Sequence, residues 1–456
     1  MRFLPGTEED RREMLRRIGA PSVEALFAEV PQEGRVQGSL RLPPALSEPE
    51  LLAHLGDLAA RTMGAAEYCC FLGAGVYDHY IPAVVPALVG RTEFLTAYTP
   101  YQAEISQGLL QSIYEYQTLV CQLTGMEAAN ASMYDGATAL AEAAIMAGAA
   151  TRRNRFILPR TVHPYFQHVV ATYLAPLPYD LVEIPQASDG GVDREALDRE
   201  LDERTAAVLF QHPNFYGCLE DARELCDAAH QVGALAIAAV DPISLGLLAP
   251  PGEFGADIVV AEGQSLGNPL SFGGPLLGLM ACRSRLLRNL PGRLVGATTD
   301  HDGRVSFCLT LQAREQHIRR EKASSNICTN QALNALAATV YLCTLGKQGL
   351  RRAAELCLQK AHYAHSRLQA EAGFTTLFSR PFFKEFALKA PDPVAALNDR
   401  LRAAGILGGL DLGRISPELE GATLLCVTEQ RTREQIDTMV AVAAGDSERS
   451  LLCPSR

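Results

Sequence analysis

Lysine is almost missing from this chain. Of its 41 basic residues only five are lysines (Lys322, Lys347, Lys360, Lys384 and Lys389), and none precedes position 322. Any chemistry that needs a side-chain amine to hold a carbonyl cofactor is therefore excluded from the first 321 residues. The twelve cysteines contain no C-x-x-C spacing, which excludes the common zinc arrangements and a compact disulfide framework and leaves reduced, mostly buried thiols. No metal site is expected. H-E-x-x-H, G-x-S-x-G and P-loop motifs are also lacking, and the bare Gly73-Ala74-Gly75 has neither the third glycine nor the strand-to-helix setting of a dinucleotide fingerprint. At the N-terminus Glu8, Glu9 and Asp10 mix with arginines and no apolar run follows, unlike a signal or transit peptide. The longest uncharged helical stretch, Ala323 to Gly346, carries Asn326, Thr329, Asn330, Gln331 and Asn334 and suits a protein core better than a bilayer. A net charge of −11 disfavours nucleic acid and anionic membrane as partners. The chain reads as cytoplasmic.

What is present suits a compact α/β protein: 456 residues, 48% of them apolar and 20% charged. Residues 1–66 read as a charged helical arm with a loop from Pro31 to Pro49. The segment Phe71–Gly90 reads as loop, and Glu104–Thr124 as an amphipathic helix. Then helices and short apolar runs alternate. Helices are expected over Gly136–Ala150, Val162–Tyr173, Asp193–Glu203 and Glu220–Val232. Strands are expected over Arg155–Pro159, Asp180–Ile184, Ala206–Phe210, Ala234–Val240, Asp257–Ala261 and Leu276–Ala281. Continuous apolar runs of this length indicate parallel strands covered on both faces. Residues 67–325 are therefore expected to form a large domain with a mostly parallel sheet. Residues 326–446 should form a smaller α/β domain, with helices over Asn330–Leu345 and Leu350–Ala370 and strands at Phe383–Leu388 and Ala422–Val427. Residues 447–456 read as a disordered tail.

Candidate chemistry gathers at the strand ends, where open α/β sheets bind ligands. Asp241 ends the run Ala234–Val240 and could pair with a protonated ring nitrogen, as in pyridoxal phosphate enzymes. Asp135, Gly136 and Thr138 open a helix whose N-terminus could cradle a phosphate. His163 could stack on a planar ring, and Asn214 could bond a ring substituent. Singly, each is more often a cap, turn or structural residue. Together, on successive strand ends, they outline a pyridoxal phosphate pocket. Its covalent anchor should lie in Asp257–Gly267, but Gln264 and Ser265 stand there and neither can form an imine.

Four long blocks carry a resemblance. They are Leu95–Gly108 (LTAYTPYQAEISQG), Ala129–Ala139 (ANASMYDGATA), Gly263–Pro275 (GQSLGNPLSFGGP) and Leu309–Thr329 (LTLQAREQHIRREKASSNICT). The chain resembles the N-terminal half of the glycine decarboxylase P-protein of the glycine cleavage system, in the form encoded separately as subunit 1 (alpha). The resemblance implies a fold-type-I pyridoxal phosphate architecture and a heterotetramer of two alpha and two beta subunits. It implies that the cofactor sits on the beta subunit, none being held covalently here. With that partner the enzyme would decarboxylate glycine, release CO2 and pass the aminomethyl group to the lipoyl arm of H-protein. Ser265 then falls at the lysine position and Gln264 at a neighbouring histidine. His163, Asn214 and Asp241, with the Asp135–Thr138 cradle, fall on a vestigial pocket. Tyr98, Thr99, Tyr101, Gln102 and Glu104 hold too many polar groups for a plain loop and are expected to reach the partner's active site. The alternative is a scaffold that only stabilises the partner and docks H-protein.

Overall fold

The computed structural model describes residues 5–36, 38–327 and 330–446. The tail expected over 447–456 lies outside the described residues. The chain divides into two compact units between Met63 and Gly64. In the first, helix Glu8–Ile18 starts on a capping box between Thr7 and Asp10 and stops at Gly19 in the left-handed region. Helix Glu48–Ala59 opens on the Ser47–Glu50 capping box, so the expected loop ends just before Pro49. None of this unit's described side chains is buried, so it has no core of its own.

The second unit is built on a seven-stranded sheet. In chain order its strands are β1 (Ala128–Ala129), β2 (Arg155–Pro159), β3 (Asp180–Ile184), β4 (Thr205–His212), β5 (Leu235–Val240), β6 (Ile258–Glu262) and β7 (Gly278–Cys282). Across the sheet they run β1-β7-β6-β5-β4-β2-β3. Strands β2 to β6 are parallel. Alternation along β4 and β5 divides the core. Val208, Phe210, Ala236 and Ala238 face one layer, and Ala207, Leu209, Leu235 and Ile237 the other.

Two readings of the sequence need correction. The run at Leu276–Ala281 does not extend the parallel set, because β7 pairs antiparallel with β6, as β1 does with β7. An apolar run records burial on both faces and is silent on direction. The link from Glu262 to Gly278 holds one short 3-10 turn and no crossover helix that could return the chain for parallel pairing. Phe71–Gly90 is not all loop, since Val84–Val89 is helical.

A separate four-stranded antiparallel sheet joins Thr375–Thr376, Glu385–Lys389, Ala422–Cys426 and Leu410–Asp411. The helix Ala332–Glu371 leads into it and breaks at Gly346, whose φ of 58° and ψ of −170° leave the α region. The early strand Cys69–Cys70 pairs in parallel with Ile406–Leu407. This pairing brings the segment after Phe71 across the carboxyl ends of the main strands.

Candidate functional site

Asp241 follows β5 and lies at the carboxyl edge of the sheet. Its carboxylate does not face an open pocket. Oδ2 is 2.7 Å from Nζ of Lys384, a side chain only 1% exposed. The ammonium lies 3.5 Å from the centre of the Tyr77 ring and 2.9 Å from Nε2 of His79, whose Nδ1 is 2.6 Å from Glu429. With the ring proton on Nδ1, Lys384 donates to Nε2 and His79 donates to Glu429, so every group in the chain of contacts is satisfied. Burial is the largest influence on Lys384 and works against its charge, but Asp241, together with Cys426 and Cys357, more than offsets it and raises the lysine pKa above its ordinary value.

The other pocket positions are also met from within. The Gln264 amide forms a two-way pair with the Tyr77 backbone, accepting from its N–H at 2.9 Å and donating to its carbonyl at 3.1 Å. His163 donates from Nε2 to the Ala74 carbonyl at 2.8 Å, while its Nδ1 accepts from the Tyr165 N–H. Asn214 donates to Glu220 and the Gly190 carbonyl and accepts from the N–H groups of Tyr216 and Cys218. At the opening of helix Gly136–Thr151, Asp135 accepts from the Thr138 N–H at 2.7 Å, and the Glu262 carboxylate accepts from the Gly136 N–H at 3.0 Å. Glu262 also accepts from Gln264 and Leu277. Ser265 is 2% exposed, and its hydroxyl has no partner among the described residues.

The G-x-G at Gly73–Gly75 is small because it is squeezed into this place. A Cβ on Gly73 would lie 2.3 Å from a Glu385 carboxylate oxygen. Gly75 sits at φ +103° with His163 2.9 Å from its would-be Cβ. Glu385 fixes the loop by accepting from the Ala74 N–H at 2.6 Å and the Tyr77 hydroxyl at 2.8 Å.

Pyridoxal phosphate does not fit this arrangement. Its ring nitrogen would need the Asp241 oxygen that Lys384 holds, and its phosphate would need the helix N–H that Glu262 holds. Lys384 cannot serve as the missing anchor, because the aldehyde of the cofactor lies across the ring from the nitrogen that Asp241 would bind. The sequence reading missed Lys384, Glu385, Tyr77, His79 and Glu262. A signal existed for the first two: a Lys-Glu pair enclosed by Phe382, Phe383 and Phe386 marks charge buried in an apolar strand.

The family model for the glycine cleavage system P-protein matches residues 1–443. The chain belongs to this family. It is 54% identical to the probable glycine dehydrogenase (decarboxylating) subunit 1 of Desulforamulus reducens, over 97% of this chain and 99% of that protein. A crystal structure of glycine decarboxylase (P-protein) of the glycine cleavage system, in inhibitor-bound form, superposes with a TM-score of 0.87 at 44% identity, covering 97% of this chain and 99% of that one. The sphingosine-1-phosphate lyase Bpss2021 of Burkholderia pseudomallei shares the fold alone, with a TM-score of 0.65 at 16% identity over 93% of this chain and 94% of that one. The large sheet of this P-protein chain is thus the fold-type-I architecture.

In this member of the P-protein family the Tyr98–Glu104 block lies largely on the surface, with Thr99 half-buried and Pro100 buried. Tyr98 is 78% and Tyr101 50% exposed, and Gln102 and Glu104 are exposed. Among the described residues, the one hydrogen bond made by a side chain of the block is that in which the Tyr101 hydroxyl accepts from Arg293; the Gln107 amide also donates to the Ala103 carbonyl. A loop held in place by its own polar groups would look different.

The buried carboxyls give this P-protein chain a pH dependence. Burial pushes Glu262 and Glu385 up to about 7, against the backbone N–H groups that favour their charged forms. Each binds its proton more tightly folded than unfolded. Their contribution is therefore full below the ordinary value of 4.5 and is lost as pH rises to about 7. Stability should fall over that window, and Glu262→Gln should flatten part of the fall in denaturant titrations across it. An unchanged slope in the variant would show that Glu262 does not titrate there.

Proposed function

We propose that this chain is one of two kinds of subunit in a cytoplasmic glycine-decarboxylating enzyme, assembled as two copies of each. Glycine loses its carboxylate as CO2, and the aminomethyl group passes to the lipoyl arm of H-protein. Pyridoxal phosphate is the electron sink such a decarboxylation requires, and the second subunit holds it. The observation that carries this reading is the filled pocket, where Lys384 meets the ring-nitrogen carboxylate and Glu262 meets the phosphate-binding helix end. The protein from Desulforamulus reducens, matched over almost its whole length, is named a subunit 1, which supports a division of labour. Among the described residues, no helix is long and apolar enough to cross a membrane. The role left to this chain is to shape the partner's active-site mouth through Tyr98, Thr99, Tyr101, Gln102 and Glu104.

The test is direct. Purified alone and mixed with pyridoxal phosphate, this chain should yield no cofactor-labelled peptide after borohydride reduction. Assembled with the second subunit, the complex should take up the label on the other polypeptide. A labelled Lys384 or Lys322 peptide would overturn the assignment.

A further inference from the structure

Arg293 is a buried cation with no counter-charge among the described residues. It precedes the hairpin strand Leu294–Thr299 and is 6% exposed. One guanidinium nitrogen, Nη2, donates to the Tyr101 hydroxyl at 3.2 Å, and the group lies 5.5 Å from the centre of the Tyr101 ring. Its Nε is buried without a hydrogen-bond partner among the described residues. No carboxylate among the described residues pairs with it. Glu315, the buried acid of the neighbouring segment, instead faces His317 at 3.5 Å. Tyr101 and His317 meet edge to face at 6.1 Å, and both open to solvent, His317 with 42% of its side chain exposed. The guanidinium thus lies beneath a partly exposed phenol, which a partly exposed imidazole meets in turn.

Removing a cation from water without a partner is costly, and removing it with an unpaired N–H more so. An arginine in this state presents a planar fork of donors, and the ligand that matches the fork is a carboxylate. We propose that Arg293, with the Tyr101 hydroxyl beside it and His317 at the entrance, forms a carboxylate-binding site that is filled in the assembled enzyme. The carboxylate is either that of glycine itself or that of an acidic side chain on the second subunit. The proposal rests on the functional reading above and deepens it: the block that reaches the partner carries a cation to meet an anion.

Arg293→Gln and Arg293→Lys chains, assembled with the second subunit, test this. Binding of glycine and of methylamine, which is glycine without its carboxylate, is followed by the change in cofactor absorbance. If glycine fills the site, Arg293→Gln weakens glycine binding about 10- to 100-fold and leaves methylamine unchanged, with Arg293→Lys in between. If the partner's acid fills it, both amines bind as in wild type and the subunit dissociation constant rises by about the same factor. No change in either quantity overturns the site. Removing an unpaired cation should leave the isolated chain at least as stable, whereas loss of a structural arginine would lower its unfolding midpoint. Should the wild-type chain form no active complex, the functional reading falls, and sodium acetate then decides the site. It should raise the thermal midpoint of the wild-type chain and not that of Arg293→Gln, and an equal response of the two would overturn the site.

Discussion

Replacing Lys384 by methionine is expected to destabilise residues 64–456 by about 3–5 kcal/mol, the cost of leaving one member of a buried ion pair unpaired. Lys384 is 1% exposed in its side chain and Asp241 11%, so water cannot replace the lost ammonium. Asp241→Asn alone strands the ammonium and should cost a similar amount. The double variant Lys384→Met, Asp241→Asn leaves no buried charge at that point and should recover most of the loss. Denaturant unfolding of the four proteins forms a double-mutant cycle, with an expected coupling of about 2–3 kcal/mol. Additive effects would remove Lys384 from its role as the charge that stands where a ring nitrogen would.

Tyr98→Phe and Gln102→Ala should leave assembly and the partner's cofactor intact while glycine–bicarbonate exchange falls roughly 10- to 1,000-fold. These side chains are exposed, and neither makes a side-chain hydrogen bond within the described residues, so neither is needed to fold this chain. If they hold glycine or the incoming sulfur in line, small displacements are expensive in rate. A scaffold would behave in the opposite way, with weaker assembly and normal turnover of whatever assembles. Full exchange in correctly assembled variants would therefore promote the scaffold reading and retire these residues as active-site contributors.

Much of the fold was legible because β5 is apolar throughout, β4 and β6 are apolar except at their ends, and all three are flanked by helices that begin at recognisable caps, such as Asp135 and Asp193. Strand direction was not legible at β7, since burial on two faces looks the same either way. The hairpin Leu294–Thr299 with Val305–Thr310 escaped notice although Asp300-His301-Asp302-Gly303 is a turn signal. In the pocket, the lack of a lysine could be read from a composition count, because a stretch with none before Lys322 needs no geometry. What fills the pocket could not. Lys384, Tyr77 and Glu262 come from three distant parts of the chain, and no local pattern ties a lysine in one sheet to an aspartate at the edge of another. Arg293 was hidden for the same reason: what sets it apart is that no carboxylate among the described residues pairs with it, which a sequence does not display.

The strand Cys69–Cys70 has a consequence for how the protein is made. Its partner, Ile406–Leu407, and the groups that pin the loop behind it are translated last. Tyr77 meets Glu385 across 308 positions, and His79 meets Glu429 across 350. At about 5–20 residues per second, the ribosome needs about 20–70 s to bridge the longer gap. Once Cys282 has been made the main sheet can form, but until Lys384 and Glu385 follow, Asp241 has no ammonium beside it and the Gly73–Tyr80 loop has no carboxylate to hold it. The carboxyl edge of the sheet is thus the last part to close, and a nascent or truncated chain is open there. That edge is where a chaperone would find an unfinished molecule, and where a protease would tell a broken one from a complete one.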